Sequence, residues 1–447
     1  MNYNEELIDL LRKLEPLNRE TALLLWNLLL VAKDKKAFFD TRNLLRLLAS
    51  IEANNTYEQT ILLPPPNNKQ VLLGRYHLGE VLYPKTVYSL LGLEPLDFMK
   101  HILITGITGA GKTNLSLLLL QELAKKNQPF LIFDWKHSYR KLKMLPECHN
   151  LKIISLGEED APFHFNPLIP PKGTHPKHWM TMLTDVIKHS FFVAHGVEYF
   201  FRKGIDYLYQ KNGVYEGSEN YPTFRDLEKL LRKEFVRGRE MLWMSSVKRV
   251  MSILTFSGML GDIVNAKESN SIESLLTNQV VIEMDNLSTV EKIFFVESFL
   301  LWLYHYKKQK GATQTHHLTI VIEEAHHILS GKKEFEQGEE TIIETMIRMI
   351  REFGVGIIAI DQEPSKLSQS ILANTNTKIC FTLGNGKDID TIMKSISLPK
   401  EQRAYLDQLQ VGHAILKSKN RFIEPVHIRI PLMKIKSEIP AVGYPLG

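Results

Sequence analysis

The residues with the clearest chemical signature run from Gly106 to Thr113, with the sequence GITGAGKT. Gly106, Gly109 and Gly111 permit backbone conformations that turn successive N–H groups toward a phosphate. Lys112 can reach the β- and γ-phosphate oxygens, and the Thr113 hydroxyl can bind Mg²⁺. The motif follows an apolar run and opens a leucine-rich helix, whose positive end favours anions. The sequence therefore predicts binding of ATP with Mg²⁺. The predicted nucleotide-binding residues of this loop are Gly106, Thr108, Gly109, Ala110, Gly111, Lys112, Thr113 and Asn114.

Two adjacent carboxylates, Glu323 and Glu324, end the apolar run LTIVIEE at residues 318–324. A strand with this pattern would deliver both to its carboxyl end. We expect Glu323 to join the Mg²⁺ shell and Glu324 to polarise the attacking water. The alternative is a pair of solvated loop carboxylates. His326 and His327 could indicate a different metal, but the absence of nearby cysteines and the magnesium chemistry already implied disfavour that interpretation.

Polar residues flank a further apolar run, GIIAID at residues 356–361. Gln362 follows it and could sense the γ-phosphate. Arg348 and Arg351 precede it, and an arginine that reaches a neighbouring subunit's γ-phosphate would stabilise transition-state charge. The alternative is a surface ion pair between Glu344 and Arg348, four residues apart. We favour the catalytic interpretation for Arg351 and the ion pair for Arg348.

Short apolar runs alternating with helical patterns predict the elements that position these groups. Such runs fit strands buried on both faces of a parallel sheet covered by helices. The fold class is thus α/β, with a motor domain over residues 70–435, a helical insertion at about 175–260 and a helical N-terminal segment at 1–65. The predicted strands are HILIT (101–105), FLIFD (130–134), VVIEM (280–284), LTIVIEE (318–324), GIIAID (356–361) and KICFTL (378–383).

Composition narrows the class of protein. The 447 residues are 44% hydrophobic and 23% charged, which excludes wholesale disorder. Two cysteines exclude a disulfide scaffold and a four-cysteine zinc site, and they favour a reducing, cytoplasmic location. The apolar run at 21–32 is too short to cross a bilayer, so no membrane insertion is expected. A net charge of +5 is too small to indicate nucleic acid by itself.

Several segments together resemble the HerA–FtsK superfamily of P-loop ATPases, and within it the HerA helicase branch. They are HILITGITGAGKT, FDWKHSYR, FHFNPL, VIEEAHH and REFGVGIIAIDQEPSKLSQSILANTNTKICFTL. The resemblance implies a RecA-like (ASCE) motor, a ring that is usually hexameric and ATP-driven DNA translocation. It places Asp134 near the nucleotide, Glu323 at the magnesium position and Glu324 in catalysis, and it makes Gln362 a sensor and Arg351 a candidate arginine finger. Glu323 stands where aspartate is commoner, and a helical N-terminus replaces the usual small β-barrel.

DNA and partner proteins follow from the resemblance as further expectations. Candidate DNA contacts are Lys332 and Lys333, and a second basic stretch runs from residue 229 to 243. A solvated charged face is the alternative for both. The helical N-terminus motivates a second hypothesis, an ATP-dependent assembly platform for an effector such as a nuclease. A third hypothesis, DNA packaging or conjugative transfer, would use the same motor on a different cargo. It is motivated by FNPL at 165–168, which also resembles type IV secretion and conjugation ATPases. The cations of the second stretch are Lys229, Arg232, Lys233, Arg237 and Arg239.

Overall fold

One mixed β-sheet of eleven strands organises the described part of the chain. Its geometry comes from a computed structural model that describes residues 61, 63–158, 162–256, 259–330 and 341–433, with six isolated positions between 23 and 44. The predicted helical N-terminal segment therefore lies almost entirely outside the described residues. The strands are β1 (Tyr76–Leu82), β2 (Val87–Leu93), β3 (Ile102–Thr105), β4 (Phe130–Asp134), β5 (Lys152–Ser155), β6 (Gln279–Glu283), β7 (Thr313–Ile322), β8 (Phe353–Asp361), β9 (Thr377–Cys380), β10 (His413–Ser418) and β11 (Val426–Arg429).

Helices cover the sheet and fill the long connection between β5 and β6. Within the described ranges that connection contains helices and no strand, in the region predicted to be a helical insertion. The α-helices are α1 (Pro95–Met99), α2 (Lys112–Lys125), α3 (Pro176–Ser190), α4 (His195–Lys211), α5 (Phe224–Leu231), α6 (Glu240–Thr255), α7 (Leu260–Val264), α8 (Ile272–Leu275), α9 (Thr289–Lys310), α10 (Ile342–Ile350), α11 (Gln369–Asn374) and α12 (Gly386–Ile396). Short 3₁₀ helices span Lys69–Leu72, Arg140–Met144, Pro146–Cys148, Val214–Glu216, Ala325–His327, Pro364–Lys366 and Lys400–Tyr405.

Seven strands, in the order β9-β3-β8-β7-β4-β6-β5, form a continuous parallel sheet. All six predicted strands lie in it, and β5 is the seventh, not foreseen. The central strands are buried on both faces, which explains their unbroken apolar runs. In β3, Ile102 and Ile104 join the core on the α2 side, whereas Leu103 joins the core on the opposite face. The parallel direction brings the carboxyl ends of all seven strands to one edge.

An antiparallel extension continues the sheet beyond β9, in the order β10, β11, β1 and β2. None of these four strands was predicted. The pairing of β1 with β2 is irregular near Gly79, and the outer strand β2 has an exposed first half. The polar residues and the irregular register break the apolar pattern by which the central strands are recognised.

Candidate nucleotide-binding and catalytic site

The predicted chemistry-bearing residues meet where β3, β8, β7 and β4 end side by side. In register, Thr105 of β3 lies beside Asp361 of β8, and Ile322 of β7 lies beside Phe133 of β4. A cavity of about 260 Å³ opens at this edge. Ligands of open α/β sheets bind at this carboxyl edge, where successive connections leave in opposite directions. The residues lining the cavity are Thr108, Gly109, Gly111, Lys112, Thr113, Asn114, Lys136, Ser138, Glu323, Glu324, Ile360, Asp361 and Gln362.

The glycine-rich loop wraps one side of the cavity between β3 and α2. Gly106 approaches the chain after β9 so closely that an added Cβ would lie 2.7 Å from the Cβ of Phe381. Gly109 has a φ of 83°, in the left-handed region that favours glycine. Helix α2 begins at Lys112, and the first N–H groups of a helix have no intrahelical acceptor. The loop thus presents N–H donors and a helix amino end to the cavity, as a phosphate requires.

The Lys112 ammonium lies inside the loop. Its Nζ donates to the carbonyl oxygens of Gly106 at 2.6 Å and Ile107 at 2.8 Å. Burial lowers the pKa of Lys112, and the charges of Glu324, Asp361 and Glu323 oppose that shift. The cation is therefore held by acceptors at the mouth of the loop, close to the carboxylates across the cavity.

Glu323 has an unmet bonding requirement at this edge. Its side chain is buried, and Oε1 accepts a hydrogen bond from the Tyr139 hydroxyl at 3.1 Å. Its Oε2 is buried and has no hydrogen-bond partner among the described residues. Burial raises the pKa of Glu323 to about 7, and the charge of Asp134 adds to the shift. A divalent cation beside Thr113 would give Glu323 Oε2 a partner. Carboxylate and hydroxyl oxygens are ligands that Mg²⁺ prefers, so Glu323 and Thr113 fit this ion.

Glu324 occupies a strained position directly after Glu323. Its φ and ψ of 47° each lie in the left-handed region, which costs a residue with a Cβ about 1–2 kcal/mol. Its Oε1 accepts from Gln362 Nε2 at 2.9 Å and pairs with Lys136 Nζ. Gln362 Oε1 in turn accepts from the Thr108 hydroxyl at 2.7 Å. The predicted sensor Gln362 thus connects the phosphate loop directly to the predicted catalytic carboxylate.

Asp134 lies behind the cavity wall and shapes the loop after β4. It is fully buried, and its carboxylate accepts from the backbone N–H groups of Lys136, Ser138 and Tyr139 at 2.7–3.1 Å. Burial raises its pKa, and these hydrogen bonds oppose the shift. Asp134 does not line the cavity, but the loop it fixes carries Lys136 and Ser138 into it. Its direct contact with nucleotide stays a prediction, whereas Lys136 and Ser138 were missed.

Asn114 lines the cavity, but its amide is bound to the end of the described chain. Nδ2 donates to the Pro431 carbonyl at 3.0 Å, and Oδ1 accepts from the Met433 N–H at 2.9 Å. Its side chain thus ties α2 to the segment after β11. Ala110 is buried below the loop, and its carbonyl accepts from the Gly412 N–H at 3.1 Å. Ala110 thus supports the loop from below, and the predicted contact of Asn114 and Ala110 with ATP stays untested.

Asp361 and His326 form a polar pair beside the carboxylates. Asp361 Oδ2 accepts from the His326 N–H at 2.6 Å and from its ring Nδ1 at 3.0 Å. Burial acts to lower the pKa of His326, but the hydrogen bond and charge of Asp361 outweigh it and raise that pKa. His327 stacks on Trp135 with ring centroids 4.9 Å apart. These contacts account for both histidines as supports for the turn that carries Glu324.

Arg348 and Arg351 lie away from the cavity of their own chain. Both are exposed, and Arg351 ends α10 just before β8 begins at Phe353. Since the cavity is at the far end of β8, eight residues at about 3.3 Å each place Arg351 roughly 26 Å from it. The charge of Arg351 instead acts on the buried His101 at the amino edge. Neither arginine can reach the phosphates of its own chain.

The candidate DNA residues fall in two places. Lys332 and Lys333 lie outside the described residues. The second basic stretch covers the end of α5, the turn after it and the start of α6, and its five cations are exposed. Arg232 pairs with Glu228 one helical turn away, as a solvated face would. Arg237 lies over the ring of Phe235, which is 78% exposed, and Arg239 lies over Trp243.

The family of the chain follows from its match to known proteins. The family model described as "Helicase HerA, central domain" matches residues 76–403, from β1 through the cavity residues to the turn before β10. That range is well over half of the chain. The chain belongs to the HerA helicase central-domain family. The resemblance seen in its motifs is thereby confirmed.

A relative and two solved structures define the extent of the similarity. The DNA double-strand break repair helicase HerA of Saccharolobus solfataricus is 24% identical over 336 residues, which are 72% of this chain and 62% of that protein. The structure of VirB4 of Thermoanaerobacter pseudethanolicus superposes with a TM-score of 0.62 at 14% identity, over 80% of this chain and 96% of that one. The plasmid coupling protein TrwB in complex with ADP and Mg²⁺ gives 0.53 at 14% identity, over 78% and 89%.

These similarities bear on different levels of the description. The structural ones, at low identity, establish the fold, and the predicted α/β fold of the RecA-like P-loop type is confirmed. This chain spans 62% of the length of the HerA protein of Saccharolobus solfataricus. Within the described residues, no helix combines the length and the apolar character needed to cross a bilayer.

Proposed function

We propose that this HerA-family protein hydrolyses ATP with Mg²⁺ and uses the energy to translocate DNA. The observation that carries the proposal is the pairing of a complete phosphate loop with two carboxylates in one cavity. One of them, Glu323, keeps a buried oxygen unpartnered among the described residues, and the other, Glu324, is held by polar residues facing the loop. A structural carboxylate pair would have its oxygens satisfied internally.

Each residue has a distinct role in the proposed hydrolysis. The loop N–H groups and the Lys112 ammonium bind the β- and γ-phosphates. Mg²⁺, held by Thr113 and Glu323, would neutralise charge on the phosphate oxygens. Glu324 accepts a proton from the water that attacks the γ-phosphorus, so that ADP and phosphate leave. Gln362 hydrogen-bonds both Thr108 and Glu324, so a phosphate bound in the loop would shift the position of the Glu324 carboxylate through it.

No arginine is among the described residues that line the cavity, and a ring, expected to be a homohexamer, would supply one from a neighbouring subunit. The placement of Arg351 at the opposite edge supports a contact in trans, because it cannot act within its own chain. The proposal is testable by subunit mixing. Arg351→Ala and Glu324→Gln variants should each be inactive alone, whereas their mixture should regain activity at interfaces that combine an intact Glu324 with an intact Arg351.

Two controls sharpen the mixing experiment. Arg348→Ala, one turn earlier on the same exposed face, should retain most of the wild-type turnover. A mixture of Lys112→Ala with Glu324→Gln should regain nothing, since each variant disables the cavity itself. Equal activity of Arg351→Ala and wild type would remove Arg351 from the mechanism.

DNA is the proposed substrate of the motor, and the similarity to the DNA double-strand break repair helicase HerA of Saccharolobus solfataricus supports that choice. The exposed basic stretch at 229–239 and its arginine–aromatic pairs offer phosphate and stacking contacts. We expect linear duplex DNA to raise ATP turnover several-fold in wild type. A joint Lys233→Ala, Arg237→Ala and Arg239→Ala variant should reduce that stimulation and keep the DNA-free rate. Turnover indifferent to DNA would contradict translocation.

A nuclease or other effector, a cytoplasmic location and the contacts of Lys332 and Lys333 stay predictions. Both cysteines, Cys148 and Cys380, are buried free thiols, in keeping with a reducing compartment. Particle mass measured with and without ATP would test ring assembly. The same measurement with residues 1–60 deleted would show whether the N-terminal segment serves assembly, as the platform hypothesis requires.

A further inference from the structure

We propose that Lys136 is a γ-phosphate-binding residue that holds the catalytic Glu324 until a triphosphate displaces it. The inference rests on the proposed ATP hydrolysis and concerns the same cavity. Lys136 follows β4 and lines the same cavity as the phosphate loop. Its ammonium pairs with Oε1 of Glu324, the same oxygen that accepts from Gln362 Nε2 at 2.9 Å. The ammonium and the amide thus share one oxygen of the carboxylate.

The base of Lys136 is fixed while its ammonium can move. Three backbone N–H groups of its loop donate to the buried Asp134 carboxylate. The following Arg140 binds Glu283 through two guanidinium nitrogens at 2.7 and 2.8 Å, which anchors the other end of the loop. The Lys136 side chain is nevertheless 56% exposed. A fixed Cα with a mobile ammonium is the geometry of a side chain that exchanges partners.

The charges of the cavity show what that exchange requires. Its cations are Lys112 and Lys136, and its carboxylates are Glu323, Glu324 and the Asp361 that already pairs with His326. Lys112 lies within the loop, where the β-phosphate of either nucleotide would sit. Only a third phosphate extends from the loop toward Lys136. ATP therefore competes with Glu324 for Lys136, and ADP does not.

This exchange would couple substrate recognition to catalysis. When the γ-phosphate takes the Lys136 ammonium, the Glu324 carboxylate loses its counter-charge and becomes available as a proton acceptor. When phosphate leaves, Lys136 returns to Glu324. If Lys136 exchanges partners in this way, it contributes to the affinity for a nucleoside triphosphate and contributes nothing to the affinity for a diphosphate.

The test compares two affinities in the full-length protein. Calorimetric titration with Mg²⁺ gives the Kd of a non-hydrolysable ATP analogue and the Kd of ADP. Lys136→Met should weaken analogue binding about tenfold relative to ADP binding, the effect of one charge-assisted hydrogen bond. Lys136→Arg should restore most of the difference. Lys143→Met, an exposed lysine farther along the same connection, is the matched control and should leave both affinities unchanged.

A double variant separates contact with phosphate from general electrostatics. Glu324→Gln removes the competitor, so the ratio of analogue to ADP affinity should rise a few-fold. That gain should disappear in Lys136→Met/Glu324→Gln. If the gain persists in the double variant, or if Lys136→Met alone leaves the ratio unchanged, the inference is overturned. Wild-type protein that binds neither nucleotide would overturn the proposed ATP hydrolysis as well.

Discussion

Two buried polar side chains at opposite ends of the central strands, His101 and Glu323, differ in how their polar atoms are satisfied. At the amino end of β3, the buried His101 uses both ring nitrogens: Nε2 donates to the Ile347 carbonyl at 2.8 Å, and Nδ1 accepts from the Ile357 N–H at 3.1 Å. At the carboxyl edge, Glu323 is similarly buried, yet its Oε2 has no partner among the described residues. The two side chains are thus buried to a similar degree, but within the described part of the chain only His101 has a hydrogen-bond partner for each of its polar atoms. The unpartnered oxygen of Glu323 faces the cavity in which a ligand would complete its bonding.

Backbone strain, in contrast, is present at both ends of the central strands. His101 has a φ of 66° and Glu324 a φ of 47°, so each end of the sheet contains a left-handed residue with a Cβ. At the amino end, the strain is fixed by two hydrogen bonds to neighbouring backbone. At the carboxyl edge, it aims a carboxylate into the cavity. Strain therefore indicates a constrained residue, and the surroundings of its side chain, packed backbone for His101 and an open cavity for Glu324, indicate whether the constraint serves stability or chemistry.

The largest expected effect is on nucleotide binding at the carboxyl edge. Lys112→Ala removes the ammonium that the loop holds for the phosphates, so affinity for ATP should fall about 100-fold or more. The fold should persist, because the lost contacts are two hydrogen bonds to loop carbonyls, one part-buried at Gly106 and one exposed at Ile107. Calorimetric titration measures the affinity, with Lys143→Ala as the control. An affinity within threefold of wild type would show that the cavity is not the nucleotide site.

At the amino end the expected loss is of stability. His101→Ala leaves the Ile347 carbonyl and the Ile357 N–H without their partner and opens a cavity, so the free energy of unfolding should fall by about 2–4 kcal/mol. Chemical denaturation measures it, and His77→Ala on the exposed face of β1 is the matched control. A loss below 1 kcal/mol would contradict the structural role.

The pH dependence of stability sharpens the same comparison. Burial lowers the pKa of His101 from 6.5 to about 4, with the Ile347 hydrogen bond opposing and the Arg351 charge assisting. The unfolded chain therefore binds a proton that the native state refuses, and stability falls as the pH drops from 6.5 toward 4. The contribution of His101 is about 3 kcal/mol at most. The difference between wild type and His101→Ala should shrink over this window; a constant difference would contradict the assignment.

At the carboxyl edge, one substitution should raise the stability of the protein and abolish its activity. Glu323→Met replaces a carboxylate with an unpartnered buried oxygen by an apolar side chain of similar length. Tyr139 keeps its hydrogen bond to the Ser116 hydroxyl at 2.9 Å. The nucleotide-free protein should gain about 1 kcal/mol of stability, while Mg²⁺-dependent hydrolysis is lost. Thermal unfolding measures the gain, with the exposed Glu352→Met as control. A destabilised variant would show that Glu323 serves the fold.

The smallest effect isolates the strain at Glu324. Glu324→Gly and Glu324→Ala both remove the carboxylate, but only glycine adopts the left-handed conformation at no steric cost. The glycine variant should be more stable by about 1 kcal/mol, although alanine is the more stabilising residue at most positions. Parallel denaturation curves of the two variants decide the sign. Equal stability would mean that the turn relaxes when the side chain is lost.

The same contrast explains what could be predicted from sequence. The parallel strands were found because residues buried on both faces give unbroken apolar runs, as in FLIFD of β4. Strands β1 and β2 were missed because they mix exposed and buried positions and pair irregularly near Gly79. Strands β10 and β11 were missed because their apolar runs are at most three residues long, in HAILKS and VHIR. The phosphate loop and the carboxylate pair were found because each is a local motif directly beside a strong strand.

Lys136 was missed for a different reason. It and Glu324 are 188 residues apart in sequence, and their contact exists only because β4 lies beside β7 in the sheet. The sequence contains no local sign of this order. The displaced location of the arginines has the same origin, since Arg351 and Gln362 flank one strand but lie at opposite edges of the sheet.

The most direct test of the catalytic edge is ATP turnover by Glu324→Gln beside wild type, with nucleotide affinity measured on the same preparations. The exchange keeps the shape and removes the proton acceptor. We predict that turnover falls at least 100-fold, within the ~10²–10⁴ range of general base catalysis, while ATP binds as tightly as in wild type or more tightly. Turnover within a few-fold of wild type, or absent in wild type itself, would contradict the assignment of this cavity as a hydrolytic site.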